Sequence, residues 1–547
     1  MKNLPWIAVN VPGYLQFQRA LAHPERTQRA LLHRYLQANA ATAFGRAHGF
    51  SQIRSAEEYR ERVPLAAWED LAPWVERIAA GETNILTRSP VRTLEPTSGS
   101  SAAAKLIPYT AELQREIRRA VAPWIVDLYA RRPRLARTAY WSITPLALEE
   151  ERFTGPVQVG FEEDAEYLGG FWSRLVDATL AVPGTVRHVR DMDAFRYVTL
   201  LFLLRRRDLS LISVWHPSFL SLLIAALPGF WDRLLLDIEH GTLKPPAPIP
   251  ESIHRSLSSR LAPRPHRAAE LKRLTPDAST RLWPRLGLIS CWGDAHAALS
   301  LPELARTFPG VEIQPKGLLA TEGFVTIPFA GLWPIAIRSH FFEFFPEDGG
   351  GPRFAWELEE GGTYSVVLTT GGGLYRYRLQ DRVQVEGFVE KTPSLRFLGK
   401  EGHVSDLRGE KLHESFVATA LARVFARTGE NPRFAMLAPD EEGPGGYVLY
   451  LETEESPPTG LAEELDGELS ANPHYRLCRS LGQLAAVRIA PVERDAFARY
   501  LEHCRRRGQR LGDVKPLALS PLSGWREVLH RAKENSRSRV IPGPDAS

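Results

Sequence analysis

Thr97-Ser98-Gly99-Ser100-Ser101-Ala102-Ala103-Ala104-Lys105 puts four hydroxyl side chains, one glycine and three alanines in a row and ends on a cation. Small residues let backbone N–H groups and hydroxyls wrap a phosphate, and Lys105 adds charge. The spacing is not a Walker A loop: Ala104 stands where the second glycine is required, and Leu106 follows the lysine. Nor is there a G-x-S-x-G elbow for a serine nucleophile. The loop stands between Arg92-Thr93-Leu94-Glu95 and a long helix expected over 110–135, opened by Thr110. A surface turn ahead of a helix has the same composition, so the loop acquires meaning only with company.

Downstream stretches supply it. Leu318-Leu319-Ala320-Thr321-Glu322-Gly323 follows an expected strand. There a threonine can offer a hydroxyl to a phosphate and a glutamate can offer a carboxylate to Mg²⁺, which prefers oxygen ligands. Gly371-Gly372-Gly373 leads into Leu374-Tyr375-Arg376-Tyr377-Arg378-Leu379-Gln380-Asp381. This reads as a tight turn, then a strand with tyrosines on one face and arginines on the other, ended by an aspartate able to accept both ribose hydroxyls. Gly399-Lys400 precedes a charged turn, Val404 to Glu414, that contains Lys411. Gly512-Asp513-Val514-Lys515-Pro516 carries a lysine on a Gly/Pro-bounded loop.

At 547 residues the chain has room for two to four domains. Short β-rich runs alternate with helical ones between about 137 and 400, for example 138–144, 286–292, 336–345 and 364–370. The expected fold class is α/β with α+β mixing: a large N-terminal domain of β-sheets flanked by helices, 1–398, then a hinge, 399–402. A small mobile α+β domain follows at 403–536, opened by a helix over 412–428, and a disordered tail at 537–547. Ser55 and Glu58 predict a capping box.

The 68 Lys+Arg and 64 Asp+Glu leave a net charge of +4, too near neutral to imply a nucleic-acid partner. Three scattered cysteines, Cys291, Cys478 and Cys504, exclude a disulfide framework and a cysteine zinc site. The start, interrupted by Pro5 and Pro12, predicts no signal peptide. Leu209 to Trp231 holds no Asp, Glu, Lys or Arg, but Pro217 and Pro228 divide it. It reads as a buried strand followed by a helix starting at Pro217, not a membrane span. A cytoplasmic monomer without membrane partners is expected.

Taken in order, these elements resemble the adenylate-forming superfamily of acyl-CoA synthetases, adenylation domains and luciferases. T-S-G-S-S-x-x-x-K-L-I-P-Y-T, G-L-L-A-T-E-G, L-Y-R-Y-R-L-x-D and S-D-L-x-G-E-K-L-H-E resemble, more narrowly, the auxin-responsive promoter (Gretchen Hagen) family. That family comprises plant acyl acid amido synthetases and bacterial members with closely similar text, and the expectation is a bacterial-type chain. The resemblance runs from about Gly45 to Pro516. It implies a two-step ligase: ATP and a carboxylic acid give an acyl-adenylate and pyrophosphate, then an amine, typically an amino acid, takes the acyl group as an amide.

By the same resemblance Thr97, Ser98, Gly99, Ser100, Ser101 and Lys105 form the phosphate loop. Thr321 meets the α-phosphate, Glu322 ligates Mg²⁺, and Asp381 holds the ribose. Lys400 sits at the hinge, Lys411 contacts phosphate, and Lys515 serves adenylation. ATP and Mg²⁺ are the implied cofactors; a small carboxylic acid and an amine are the implied substrates. Ala102 and Gln380 stand where relatives carry glycine, which restricts the backbone there. Two alternatives stay open: an acyl-CoA or acyl-carrier ligase using the same adenylate, and a catalytically weak binding protein for an acyl acid or nucleotide. The acid pocket is expected in the N-terminal body, with Trp124, Trp292 and His296 as candidates.

Overall fold

The computed structural model describes residues 3–97, 105–143, 156–159, 180–347, 349–401, 404–408, 410–440, 445–454, 456–506, 514 and 516–529. The architecture is mixed α/β, and two compact units divide it, one built on residues 1–402 with 508–515 and the other on 403–507 with 516–547.

The first unit opens with helices α1 (Leu4–Leu21), α2 (Pro24–Asn39), α3 (Ala43–Ala47), α4 (Ala56–Arg62) and α5 (Trp68–Ala79). Proline occupies the first turn of α1 and of α2, where a missing N–H costs nothing. Ser55 Oγ accepts from Glu58 N at 3.1 Å, half of the expected capping box. The Glu58 carboxylate closes back on Arg54 N instead, one residue earlier. Strands β1 (Val91–Thr97) and β2 (Lys105–Thr110) form an antiparallel hairpin, with β4 (Gln158–Val159) parallel to β1 on its far side. Helix α6 (Ala111–Arg131) follows β2 directly. Thr110 Oγ1 caps it by accepting from Leu113 N, and α6 is buried on every side from Ala120 to Tyr129.

A four-stranded parallel sheet runs in the order β3 (Thr138–Trp141), β5 (Leu209–Ser213), β6 (Leu288–Cys291), β7 (Glu312–Pro315). β5 and β6 are buried at every residue, as strands covered on both faces must be. After β5, His216 Nδ1 accepts from Ser218 N and Pro217 starts the next helix, as the sequence predicts. α7 (Met192–Leu204), α8 (Pro217–Ala225) and α9 (Leu227–His240) supply much of a core that includes Tyr197, Leu201, Leu234 and Trp283. Among the described residues no single helix is long and apolar enough to cross a membrane. α8 and α9 meet that test only as a pair bent by 68°.

A five-stranded antiparallel sheet has the order β12 (Thr392–Lys400), β11 (Tyr377–Val389), β10 (Thr363–Thr369), β8 (Phe341–Pro346), β9 (Arg353–Phe354). β8 begins at Phe341, not at 336. The Gln28 side chain of α2 donates to Ile337 O and His340 O and accepts from Phe342 N, which holds 337–340 in a turn. The expected tyrosine/arginine alternation also fails at one position. Arg376 has φ +47° and turns inward, where its guanidinium pairs with buried Glu343. Tyr375 and Tyr377 are buried as expected, and Arg378 is the one arginine that faces outward, paired with Glu401.

In the second unit β13 (Val404–Ser405) and β14 (Leu412–His413) form a short hairpin. The helix expected from 412 begins at Glu414, because Leu412 and His413 pair with Ser405 and Val404. It ends on Gly429 in the left-handed region. β15 (Phe434–Pro439), β16 (Tyr447–Glu452) and β17 (Arg488–Pro491) make the second sheet.

Candidate functional site

The small-residue loop does not lead into a helix. It closes the β1–β2 hairpin, whose last paired residues are Thr97 and Lys105. Lys105 therefore opens β2, opposite Thr97 at the end of β1. Lys105 Nζ lies 3.4 Å from Tyr377 Oη at the start of β11. Four residues beyond Lys105 on the same strand, Tyr109 Oη donates to Thr321 O at 2.6 Å. One strand thus reaches both of the other motifs.

Thr321 and Glu322 lie in a tight loop closed by Ala320 N to Gly323 O and the reciprocal bond. Glu322 is half-buried, and its charge acts on three neighbours. Burial, then Glu95 and Glu322, push the Tyr109 phenol well above its usual range. Burial, then Glu322, Glu69 and Asp381, do the same to Tyr377. The Lys400 ammonium is raised first by Asp381, against burial, and further by Glu322.

Asp381 does not end a strand. It lies inside β11, opposite Lys400 of β12, with the carboxylate 3.7 Å from the ammonium. Val367 pairs with Arg378 and Ser365 with Arg382, so β11 carries a bulge of extra residues here. Gln380 takes φ +61° in that bulge, a conformation costing a non-glycine residue about 1–2 kcal/mol. The glycine expected by resemblance would carry no such cost. Asp381 is 2% exposed, and its Oδ1, the oxygen facing Lys400, has no hydrogen-bond partner among the described residues. A buried carboxylate oxygen in that state is an acceptor waiting for donors.

Sequence reasoning missed the network behind these groups. Glu116 on α6 is fully buried and accepts from Tyr35 Oη at 2.6 Å and from Gly371 N at 2.9 Å. His340 Nδ1 lies 3.0 Å from Glu116 Oε2, the oxygen that also accepts from Gly371 N. His340 Nε2 accepts from Phe324 N at 3.1 Å, so the ring carries its proton on Nδ1 and donates to Glu116. One carboxylate thereby ties the Thr321–Glu322 loop to the Gly371 turn that feeds β11. A Cβ on Gly371 would lie 2.5 Å from Glu116 Oε1, and one on Gly323 2.8 Å from His340 Nε2. Gly371→Ala is expected to cost about 1–3 kcal/mol in urea unfolding through overpacking, and to lower turnover of the folded fraction. An unchanged midpoint and rate would show that the turn has room to yield.

Lys105, Thr321, Glu322, Asp381 and Lys400 thus come together in the first unit, with Tyr109 and Tyr377 joining them. Ser98, Gly99, Ser100, Ser101 and Ala102 lie outside the described residues, as do Lys515 and the 537–547 tail, and nothing is described of the Thr97 or His296 side chains. Lys411 is on the second unit, exposed at φ +47°. Buried Glu410 beside it accepts from Leu407 N and Arg408 N, which shapes the turn. Among the described residues no cluster of three or more His, Cys, Asp or Glu could hold a metal by itself. Half-buried Glu322 could serve as a single carboxylate ligand for Mg²⁺ that is held mainly by substrate phosphates.

Comparison with known proteins places this arrangement. Residues 14–313 match the GH3 family N-terminal domain, 333–400 the central domain and 415–521 the C-terminal domain. A probable indole-3-acetic acid-amido synthetase of Oryza sativa subsp. japonica is 24% identical over 95% of each chain. A jasmonoyl–L-amino acid synthetase of Nicotiana attenuata is 23% identical over 89% of this chain and 90% of its own. The solved structure of GH3.15 acyl acid amido synthetase superposes with a TM-score of 0.81 at 21% identity, covering 94% of this chain and 95% of that one. The N-terminal match alone spans more than half of the sequence, and the other two follow it in order: the chain belongs to the GH3 family and shares the fold of the GH3.15 structure.

Proposed function

We propose that this protein is an ATP-dependent acyl acid amido synthetase. It adenylates a carboxylic acid, releasing pyrophosphate, and then transfers the acyl group to an amine, an amino acid by analogy with its relatives. The observation that supports this most is the convergence of Lys105, Glu322, Asp381 and Lys400, from separate stretches of sequence, around Tyr377 and Tyr109.

In this reading the acid's carboxylate attacks the α-phosphate of ATP and the bond to pyrophosphate breaks. Two anions must meet, so cations are needed where charge builds. Lys105, at the base of the β1–β2 loop, faces the phosphates with Thr321. Asp381 accepts hydrogen bonds from the ribose hydroxyls, and the Lys400 ammonium stands 3.7 Å from that carboxylate. Bound Mg²⁺, with Glu322 as its protein ligand, supplies further positive charge to the phosphates. Lys515 delivers a cation for the first step from the loop near the chain's end, and Lys411 contacts phosphate. The amine then attacks the acyl carbon and AMP leaves. The chain acts as a cytoplasmic monomer, and its placement as a bacterial-type member rests on motif text alone, since the relatives named above are plant enzymes.

The ribose contact gives a direct test. Asp381→Asn is expected to raise KM for ATP roughly 10–100-fold, the worth of hydrogen bonds to a charged acceptor, with a smaller effect on kcat. Wild type should prefer ATP over 2′-deoxy-ATP, and the variant should not. A wild type that uses both nucleotides equally would remove Asp381 from the ribose.

A further inference from the structure

The carboxyl edge of the parallel sheet carries a second cluster, apart from the nucleotide groups. Ser213 ends β5, Cys291 ends β6, and Lys316 directly follows β7. In parallel α/β sheets this is the edge where ligands bind. Lys316 is 4% exposed. Its Nζ donates to Ser213 Oγ at 2.7 Å and stands over the rings of Trp215 and Trp124, 4.8 and 5.8 Å from their centroids. Trp292 lies against Trp215, with centroids 5.7 Å apart, and both indoles are only half-buried.

No carboxylate among the described residues balances this amine. Cys291 is the titratable group that acts on it, and burial pushes that thiol up to about 12, so it is neutral. Burial likewise pulls the amine down from 10.5 to about 7. One hydroxyl and two indole faces are poor compensation for a desolvated ammonium. A group left in that state beside half-buried aromatic rings is a binding-site signature.

Its position says what part of a ligand it meets. Trp124 lies eight residues beyond Glu116 on α6, about 12 Å along the helix axis. Glu116 reaches Phe324 through His340, and Phe324 is two residues past Glu322. Lys316 therefore meets α6 at Trp124, eight residues along from the Glu116 network that holds the Glu322 loop. We propose that Lys316, with Ser213, Trp124 and Trp215, forms the far wall of the acyl-acid pocket and selects an aromatic acid bearing a second acceptor oxygen, phenolic or carboxylate, at the end remote from the reacting carboxyl. The indoles hold the ring and the amine donates to the distal oxygen. The catalytic part of this inference rests on the adenylating function; the binding part does not.

The test uses cinnamate, 4-hydroxycinnamate and 4-carboxycinnamate with full-length wild type, Lys316→Met and Ser213→Ala. Two readouts run in parallel: kcat/KM for pyrophosphate release, and binding without ATP by quenching of tryptophan fluorescence. Wild type should favour the oxygen-bearing acids roughly 10–100-fold in both. Lys316→Met should abolish that preference, and Ser213→Ala should weaken it. Which of the two substituted acids gains more identifies the distal group. Pyrophosphate release without distal preference overturns this inference and spares the ligase. Selective binding without pyrophosphate does the reverse, and silence in both overturns both.

The free protein offers a further check. Between pH 7 and 10.5 the unfolded amine binds more protons than the folded one, so this group makes stability rise with pH across that window. The rise should be smaller in Lys316→Met, and an equal rise in both would mean that the amine is not desolvated.

Discussion

Lys515→Ala is expected to lower acid-dependent pyrophosphate release from Mg-ATP by roughly 10²–10³, the cost of removing one preorganised charge from a transition state. The thermal midpoint should not move, because lysine side chains are almost never part of an apolar core. The loss should fall on kcat more than on KM for ATP, since ground-state nucleotide binding is assigned to Asp381 and the β1–β2 loop. The second half-reaction supplies the control. Given chemically prepared acyl-adenylate, the variant should still form amide with an amine, because the cation serves phosphate chemistry that is then already complete. Wild-type pyrophosphate release from Lys515→Ala would remove this residue from the mechanism. Loss of both half-reactions together would make its role structural.

Glu116→Ala is expected to be the most destabilising single change in the site. Glu116 accepts hydrogen bonds from Tyr35 and Gly371 and faces the proton-bearing Nδ1 of His340, and neither Glu116 nor His340 is exposed. Removing it orphans these donors in a dry core. Each buried donor left without its acceptor costs about 1–3 kcal/mol, against a typical domain stability of about 5–15 kcal/mol. Urea unfolding followed by tryptophan fluorescence reads the loss. Glu116→Gln, which keeps an acceptor oxygen and the side-chain shape, should recover part of the stability. Its remaining fault should appear in KM for Mg-ATP, because the Glu322 loop and the Gly371 turn are then less firmly held together. A fully stable Glu116→Ala variant would show that the network is incidental.

The contrast between these residues explains what could be read from the chain. Thr321, Glu322, Asp381 and Lys105 announce themselves through short local patterns, small residues or glycines around one functional group. The strand-to-helix step at Ser213–Pro217 was legible for the same reason, since proline at a first turn is a local rule. Glu116 and His340 are 224 residues apart in sequence and have no pattern of their own. A glutamate on a helix reads as a solvated group until the fold buries it. The misplacements have the same origin. Lys105 was expected before a helix, but long-range pairing with Thr97 makes it a strand residue. Asp381 was expected at a strand end, but pairing with Lys400 carries β11 on to Val389. Arg376 was expected outside, but Glu343 on β8 draws it in.

The central claim is that this chain joins an acid to an amine through an acyl-adenylate. The most direct measurement is pyrophosphate release from Mg-ATP across aryl, indolyl and aliphatic acids, with and without pooled amino acids, and with products weighed by mass spectrometry. Acid-dependent pyrophosphate is predicted, together with an amino-acid-dependent rise in AMP and an amide of the summed mass less water. Pyrophosphate with a thioester formed only when coenzyme A is supplied would contradict the amide step. ATP bound with no pyrophosphate for any acid would contradict the adenylation itself.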